Sequence, residues 1–182
     1  MSTIERFLRQ RREASFLRQV VRLKKLEALF LFVTSRCNSQ CRTCFYHDKL
    51  NDGADLSTDE ILRISRTAPR FDKLWLSGGE PFMRDDLAQI VRAFVENNGV
   101  RVMNMPTNGL LPERIEAVLE ELLRTCPQLE MHLNLSLDGI GATHDRQRGV
   151  PGSFHKTLAT LRRIKERFGG ERKLITNAAT VI

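Results

Sequence analysis

The stretch LFLFVTSRCNSQCRTC, running from Leu29 to Cys44, decides how the chain is read. Its first part, Leu29 to Val33, is a short apolar run of strand length. Three cysteines, Cys37, Cys41 and Cys44, then fall within eight residues. Thiolates are soft ligands that select zinc, copper(I) or iron–sulfur clusters. A structural zinc site closes with four ligands, usually in two separated pairs. Here three lie on one loop, and His47 or Cys126 would have to complete a zinc site. A cubane iron–sulfur cluster normally takes four protein thiolates. Three would hold three irons and leave the fourth open to a ligand that could be made to react.

The spacing C-x3-C-x2-C after a first strand resembles that of the radical S-adenosylmethionine (SAM) enzymes, and further segments extend the resemblance in the family's order. SGGEP, Ser77 to Pro81, resembles the GGEP motif; TNG, Thr107 to Gly109, is similar to the end of the third strand. LSLDG, Leu135 to Gly139, with HDRQR, His144 to Arg148, resembles the fourth-strand region of the subgroup holding the molybdenum-cofactor cyclase and the SPASM-type peptide-modifying enzymes. The resemblance implies a 4Fe–4S cluster on Cys37, Cys41 and Cys44, with SAM chelating the unique iron. It implies SAM contacts from Gly78, Gly79 and Glu80, from Asn108 at the ribose, and from Ser136 with Arg148 at the carboxylate or ribose. An Arg–carboxylate pair can be bidentate and would fix the methionyl group. It further implies a flavodoxin- or ferredoxin-like electron donor, and cleavage of SAM to a 5′-deoxyadenosyl radical that abstracts hydrogen from substrate. The chain departs from the family pattern before the third cysteine. An aromatic residue often stands there beside the adenine; here it is Thr43, and Phe45 and Tyr46 follow Cys44.

The same residues also have plainer readings. A glycine pair after a strand is ordinary turn chemistry, although glycine also permits close backbone approach to a ligand. Glu80 can serve only to anchor its loop. Asn108 before Gly109 suits a turn, and Ser136 can be a strand-end polar residue satisfied by backbone. Tyr46 and His47 read as neighbours of the cluster loop, Cys126 as a small residue without a cluster role, and Phe71 and Trp75 as core. If the plain readings held throughout, the chain would be a non-catalytic module with zinc or an inert cluster at the three cysteines.

The net charge is +7, yet residues 1–25 alone contribute +6. The body is near neutral, so nucleic-acid binding would rest on that segment alone. Ile4, Phe7, Leu8, Leu17, Val20 and Val21 recur there at helical spacing. Residues 1–27 thus read as a basic amphipathic helical extension, packed on the core or touching a membrane surface. No apolar run reaches bilayer-spanning length, and four cysteines without secretory features favour the cytoplasm.

From Leu29 onward, apolar runs at 29–33, 73–77, 100–105, 131–137 and 173–182 read as strands. Ser57 with Glu60 opens a helix at 58–67. Further helices are expected at 86–97, ending at Gly99, at 112–125 behind Pro112, and after a capping Ser153. Strand–helix alternation implies an α/β fold with a parallel sheet. Residues 28–182 thus predict a radical SAM core domain, a partial parallel (β/α) barrel. The family's barrel has six strand–helix units, and the chain ends in the fifth strand, as a fragment of a longer enzyme would. In such sheets functional groups sit at the carboxyl ends of the strands, where every motif above falls.

Overall fold

The computed structural model describes residues 26–53 and 55–181; the helical extension expected over residues 1–27 lies outside them, save for residues 26 and 27. Five strands, β1 (Ala28–Thr34), β2 (Lys73–Gly78), β3 (Val102–Thr107), β4 (Glu130–Ser136) and β5 (Leu174–Ala179), form one sheet in chain order. Every pairing is parallel. The helices between them are α1 (Thr58–Thr67), α2 (Leu87–Asn98), α3 (Pro112–Thr125), α4 (Ala142–Arg148) and α5 (Ser153–Phe168).

Local sequence explains most boundaries. Ser57 and Glu60 form the reciprocal capping box at α1, and Gly99, with φ of 74°, ends α2 in the left-handed conformation. Pro112 occupies the first turn of α3, where its missing N–H costs nothing. The expected cap Ser153 is instead the first residue of α5, behind Gly152. Asp145, one helix earlier, does the capping. Its carboxylate accepts from the N–H groups of Gly152 and Phe154 and from the Ser153 hydroxyl.

The helices bury one face of the sheet. Leu31, Val33, Leu74, Leu76, Met103, Met105, Met131, Leu133 and Leu135 point into that core, where Ile61, Ile90, Phe94, Ile115, Leu119 and Ile164 meet them. Strands β3 and β4 alternate strictly between buried and half-buried positions. Their other face carries Asn104, His132 and Asn134, polar positions that a purely apolar reading of the strands passes over. On β1 and β2 that face, open among the described residues, is aromatic. Trp75 is 37% exposed rather than core, and stacks on Phe30 with ring centroids 5.2 Å apart. Phe71 does lie in the core, 2% exposed, beside Phe94.

Pairing between β2 and β3 runs only from Lys73↔Val102 to Trp75↔Asn104. Beyond that register the two strands part towards their carboxyl ends, and the sheet opens where the motifs lie.

The core ring of Phe94 is fully buried. Phe94→Ala is therefore expected to lower unfolding stability by about 3–5 kcal/mol, read from urea denaturation midpoints. A loss below about 1 kcal/mol would mean that α2 does not carry the core.

Candidate active site at the carboxyl ends of the strands

The loop after β1 is held from two sides by backbone hydrogen bonds. On one side, Gly79 N–H donates to Thr34 O and Glu80 N–H to Arg36 O, each at 2.8 Å. On the other, Gln40 N–H donates to Arg148 O at 3.1 Å and Arg42 N–H to Gln147 O at 2.9 Å. The latter two carbonyls belong to the last turn of α4, where helix carbonyls lack intrahelical partners. Cys37, Cys41 and Cys44 therefore hang between the end of β2 and the end of α4. All three are free thiols, each half-buried.

The glycines make these close approaches possible. A Cβ on Gly79 would meet Arg36 O at 2.2 Å, and one on Gly78, whose φ is 126°, would meet Thr34 O at 2.2 Å. A Cβ on Gly149 would meet Gln40 O at 2.6 Å. The missing side chains thus make room first for the cysteine loop. A bulky residue at Gly79 would displace the root of that loop, and its effect would reach the cysteines before any ligand.

Glu80 is 2% exposed. Its carboxylate accepts from Thr107 Oγ1 at 3.0 Å, Asn108 N at 2.7 Å and Phe82 N at 3.3 Å. Burial pushes its pKa up to about 7 against the pull of those donors. The carboxylate bridges the ends of β2 and β3 where their ladder has stopped. Asn108 continues the chain of bonds: its Nδ2 donates to Asn38 Oδ1 and Ser39 Oγ at 2.6 and 3.1 Å. Glu80 and Asn108 are thus both engaged with the protein frame.

Ser136 stands at the end of β4 with its hydroxyl unbonded among the described residues. Arg148 reaches in from α4. Its Nη1 donates to Cys41 Sγ at 3.2 Å, and its Nε lies 2.9 Å from Asp138 Oδ2. That charge contact is out of line for a straight hydrogen bond, and neither atom has another partner. Burial pushes the Cys37 thiol up to about 11, so an empty site holds it protonated, and a bound metal would have to drive the proton off.

These groups line one cavity of about 270 Å³, with Cys37, Cys41, Cys44, Gly78, Gly79, Glu80, Asn108, Ser136, Asp138 and Arg148 in its wall. All the residues that the resemblance assigns to the cluster or to SAM come together there. Thr43 also lines it, its hydroxyl accepting from Gln147 Nε2 at 2.8 Å, and Phe45 stands at its edge, 81% exposed. Sequence reasoning passed over Asp138 as a charge partner, Ser39, and Gly149. Gly149 carried a signal, a glycine directly after a run of basic residues, which is how many helices end. Cys126 is buried at the end of α3, away from the cavity.

The donor set suits a cluster. Among the described residues no three His, Cys, Asp or Glu side chains converge on a point where one metal ion could sit. A cubane places each thiolate on a different iron, so its ligands need not converge.

A parallel sheet with its chemistry-bearing loops at the strand carboxyl ends is the architecture of a (β/α)-barrel enzyme. The Radical SAM superfamily model matches residues 31–179, and the chain belongs to that superfamily. It is 32% identical over 143 residues to a probable GTP 3′,8-cyclase of Methanocella arvoryzae, covering 74% of this chain and 42% of that protein. It is likewise 32% identical over 138 residues to the Fe-coproporphyrin III synthase of Methanosarcina barkeri, covering 74% and 33%. Among solved structures, anSMEcpe with bound AdoMet and a peptide superposes with a TM-score of 0.59 at 20% identity, covering 84% of this chain and 42% of that one. Streptococcus suis SuiB gives 0.60 at 18% identity, covering 98% and 39%. These structures share the fold, and the chain spans about two fifths or less of each relative. Enzymes of the superfamily use a 4Fe–4S cluster and SAM. No helix among the described residues is long and apolar enough to cross a membrane.

The raised Glu80 pKa has a consequence for stability. The fold favours the neutral acid, so Glu80's contribution is complete below pH 4.5 and is lost as pH rises through about 7. Glu80→Gln stays neutral throughout. In the metal-free chain, the melting temperature of the variant is expected to gain on the wild type between pH 5 and pH 8. A constant gap over that range would show that Glu80 does not titrate there.

Proposed function

We propose that this chain is the catalytic core of a radical SAM enzyme, with Cys37, Cys41 and Cys44 holding a 4Fe–4S cluster and the adjoining cavity wall holding SAM. The observation that carries this reading is the shared cavity: three free thiols on one loop open onto the same space as the glycine pair, Ser136 and Arg148. When bound and reduced, the cluster supplies one electron for cleavage of SAM into methionine and a 5′-deoxyadenosyl radical.

The chain's own residues bind and orient. Gly78 and Gly79 bring their backbone to the cavity wall. The free Ser136 hydroxyl and the Arg148 guanidinium suit the carboxylate or ribose of SAM. Glu80 and Asn108 set the distance between the glycine loop and the cysteine loop. A primary alkyl radical attacks nearly any C–H bond, so the reacting carbon must meet substrate in near-contact and away from water. The open sheet face below the cavity, with Trp75, Asn104 and His132, is where substrate would lie. Residues 28–182 would form this core and residues 1–27 an extension of it. The electron would come from a flavodoxin- or ferredoxin-like donor in the cytoplasm. Relatives named as a nucleotide cyclase and a porphyrin synthase leave the substrate class open to cofactor assembly as well as peptide modification.

Reconstituted without oxygen, the chain is expected to hold about four iron and four sulfide, as cubane sites do. Cys41→Ala should abolish the brown chromophore. With SAM and dithionite, the loaded chain should form 5′-deoxyadenosine. Stoichiometric zinc without a chromophore would replace this reading with a structural metal module.

The glycine loop gives a second check. Gly79→Val is expected to reduce cluster loading severalfold, because the side chain meets the Arg36 carbonyl. Full iron content in that variant would show that the cysteine loop tolerates the shift.

A further inference from the structure

Arg148 touches a cluster-ligand sulfur. Its Nη1 donates to Cys41 Sγ at 3.2 Å, while among the described residues the sulfurs of Cys37 and Cys44 receive no side-chain hydrogen bond. The guanidinium is held in place. Arg148 O accepts from Gln40 N–H, and the missing side chain of Gly149 lets the helix end pack against Gln40 O, which a Cβ there would meet at 2.6 Å. Its counter-ion Asp138 has a side chain 1% exposed. Asp138 is itself fixed, its Oδ1 accepting from Val181 N–H at 3.0 Å and its own N–H donating to His144 Nδ1 at 3.1 Å. Glu80 and His144 also lie within electrostatic reach of Arg148.

We propose that Arg148 and Asp138 form an opposed charge pair that sets the reduction potential of the cluster through Cys41. This rests on the cluster assignment above and goes beyond it. Reduction brings in one electron from the donor, with no bond made or broken, and adds negative charge to the thiolate ligands. A hydrogen bond to a ligand sulfur, and a positive charge beside it, stabilise the reduced form more than the oxidised form. Arg148 therefore raises the potential. Asp138 places a negative charge within the same few ångströms and lowers it. Water is largely excluded from both side chains, so neither charge is strongly screened. Arg148 acts through Cys41 and is a positioning residue. Its Nη2, without a protein partner among the described residues, stays available to SAM.

The test is a redox titration of the reconstituted chain without SAM, following the visible chromophore and the EPR signal of the reduced cluster. Arg148→Met is expected to lower the midpoint, so that at one set potential the reduced-to-oxidised ratio falls about tenfold, or about 59 mV for one electron. Arg148→Lys should recover part of that loss. Asp138→Asn keeps the shape and an acceptor for Val181 but removes the charge, and should raise the midpoint. Shifts of opposite sign are the signature, since a merely structural pair would move both variants the same way. If Arg148→Met fails to load, Asp138→Asn and Arg148→Lys carry the test, and an upward shift in the former supports the proposal. Unchanged midpoints, or downward shifts in both charge-removing variants, overturn it. A wild type that forms no chromophore would instead overturn the cluster assignment.

Discussion

The buried carboxylate of Glu80 closes the ring of hydrogen bonds on which the shape of this site depends. Below it, β2 and β3 are joined by their ladder; at its level they have parted. The carboxylate replaces the ladder, accepting from Thr107 and Asn108 at the end of β3, while the Glu80 backbone N–H ties Arg36 to the end of β2. Asn108 then reaches Asn38 and Ser39 in the cysteine loop. A gap between two strands is thereby made rigid without being filled. That is the requirement of a site that must keep both a cavity and a fixed loop beside it.

The second support of the loop comes from α4, and its logic is electrostatic as well as geometric. The last carbonyls of a helix need donors, and the cysteine loop has spare N–H groups at Gln40 and Arg42. Each satisfies the other. The same helix end delivers the Arg148 guanidinium to Cys41. The carbonyls fix the loop's backbone, and the side chain then meets the sulfur at a defined distance.

Much of this was legible in the residues. Strand–helix alternation, the Ser57/Glu60 box, Gly99 and Pro112 placed the elements, because each is a local rule about caps or periodicity. That the candidate residues would meet at one edge was legible because the motifs fall after strands, and a parallel sheet gathers strand ends there. Apart from Gly149, what escaped had no local signature. Helix α4 lacks an apolar stripe and is held by the cysteine loop far away in sequence. The Asp145 cap works across a helix boundary, so Ser153 looked like its own cap. Trp75 sits in an apolar run but faces the open side of the sheet, a distinction that depends on pairing phase. The partners of Asn108 and Arg148 are long-range, and no spacing rule reveals them.

The chain-order topology of the sheet has a temporal consequence. Each strand pairs with the one made just before it, so the sheet can grow as the polypeptide emerges. The cysteine loop is different, since its second clamp and the Arg148 donor lie 107 residues beyond Cys41. At ribosomal rates of about 5–20 residues per second, that separation is a wait of about 5–20 s. Over that interval the thiols are already synthesised but their cradle is incomplete, since Gln147 and Arg148 have yet to be made. The complete cradle around the three thiols is therefore timed by the synthesis of α4 rather than by that of the cysteines.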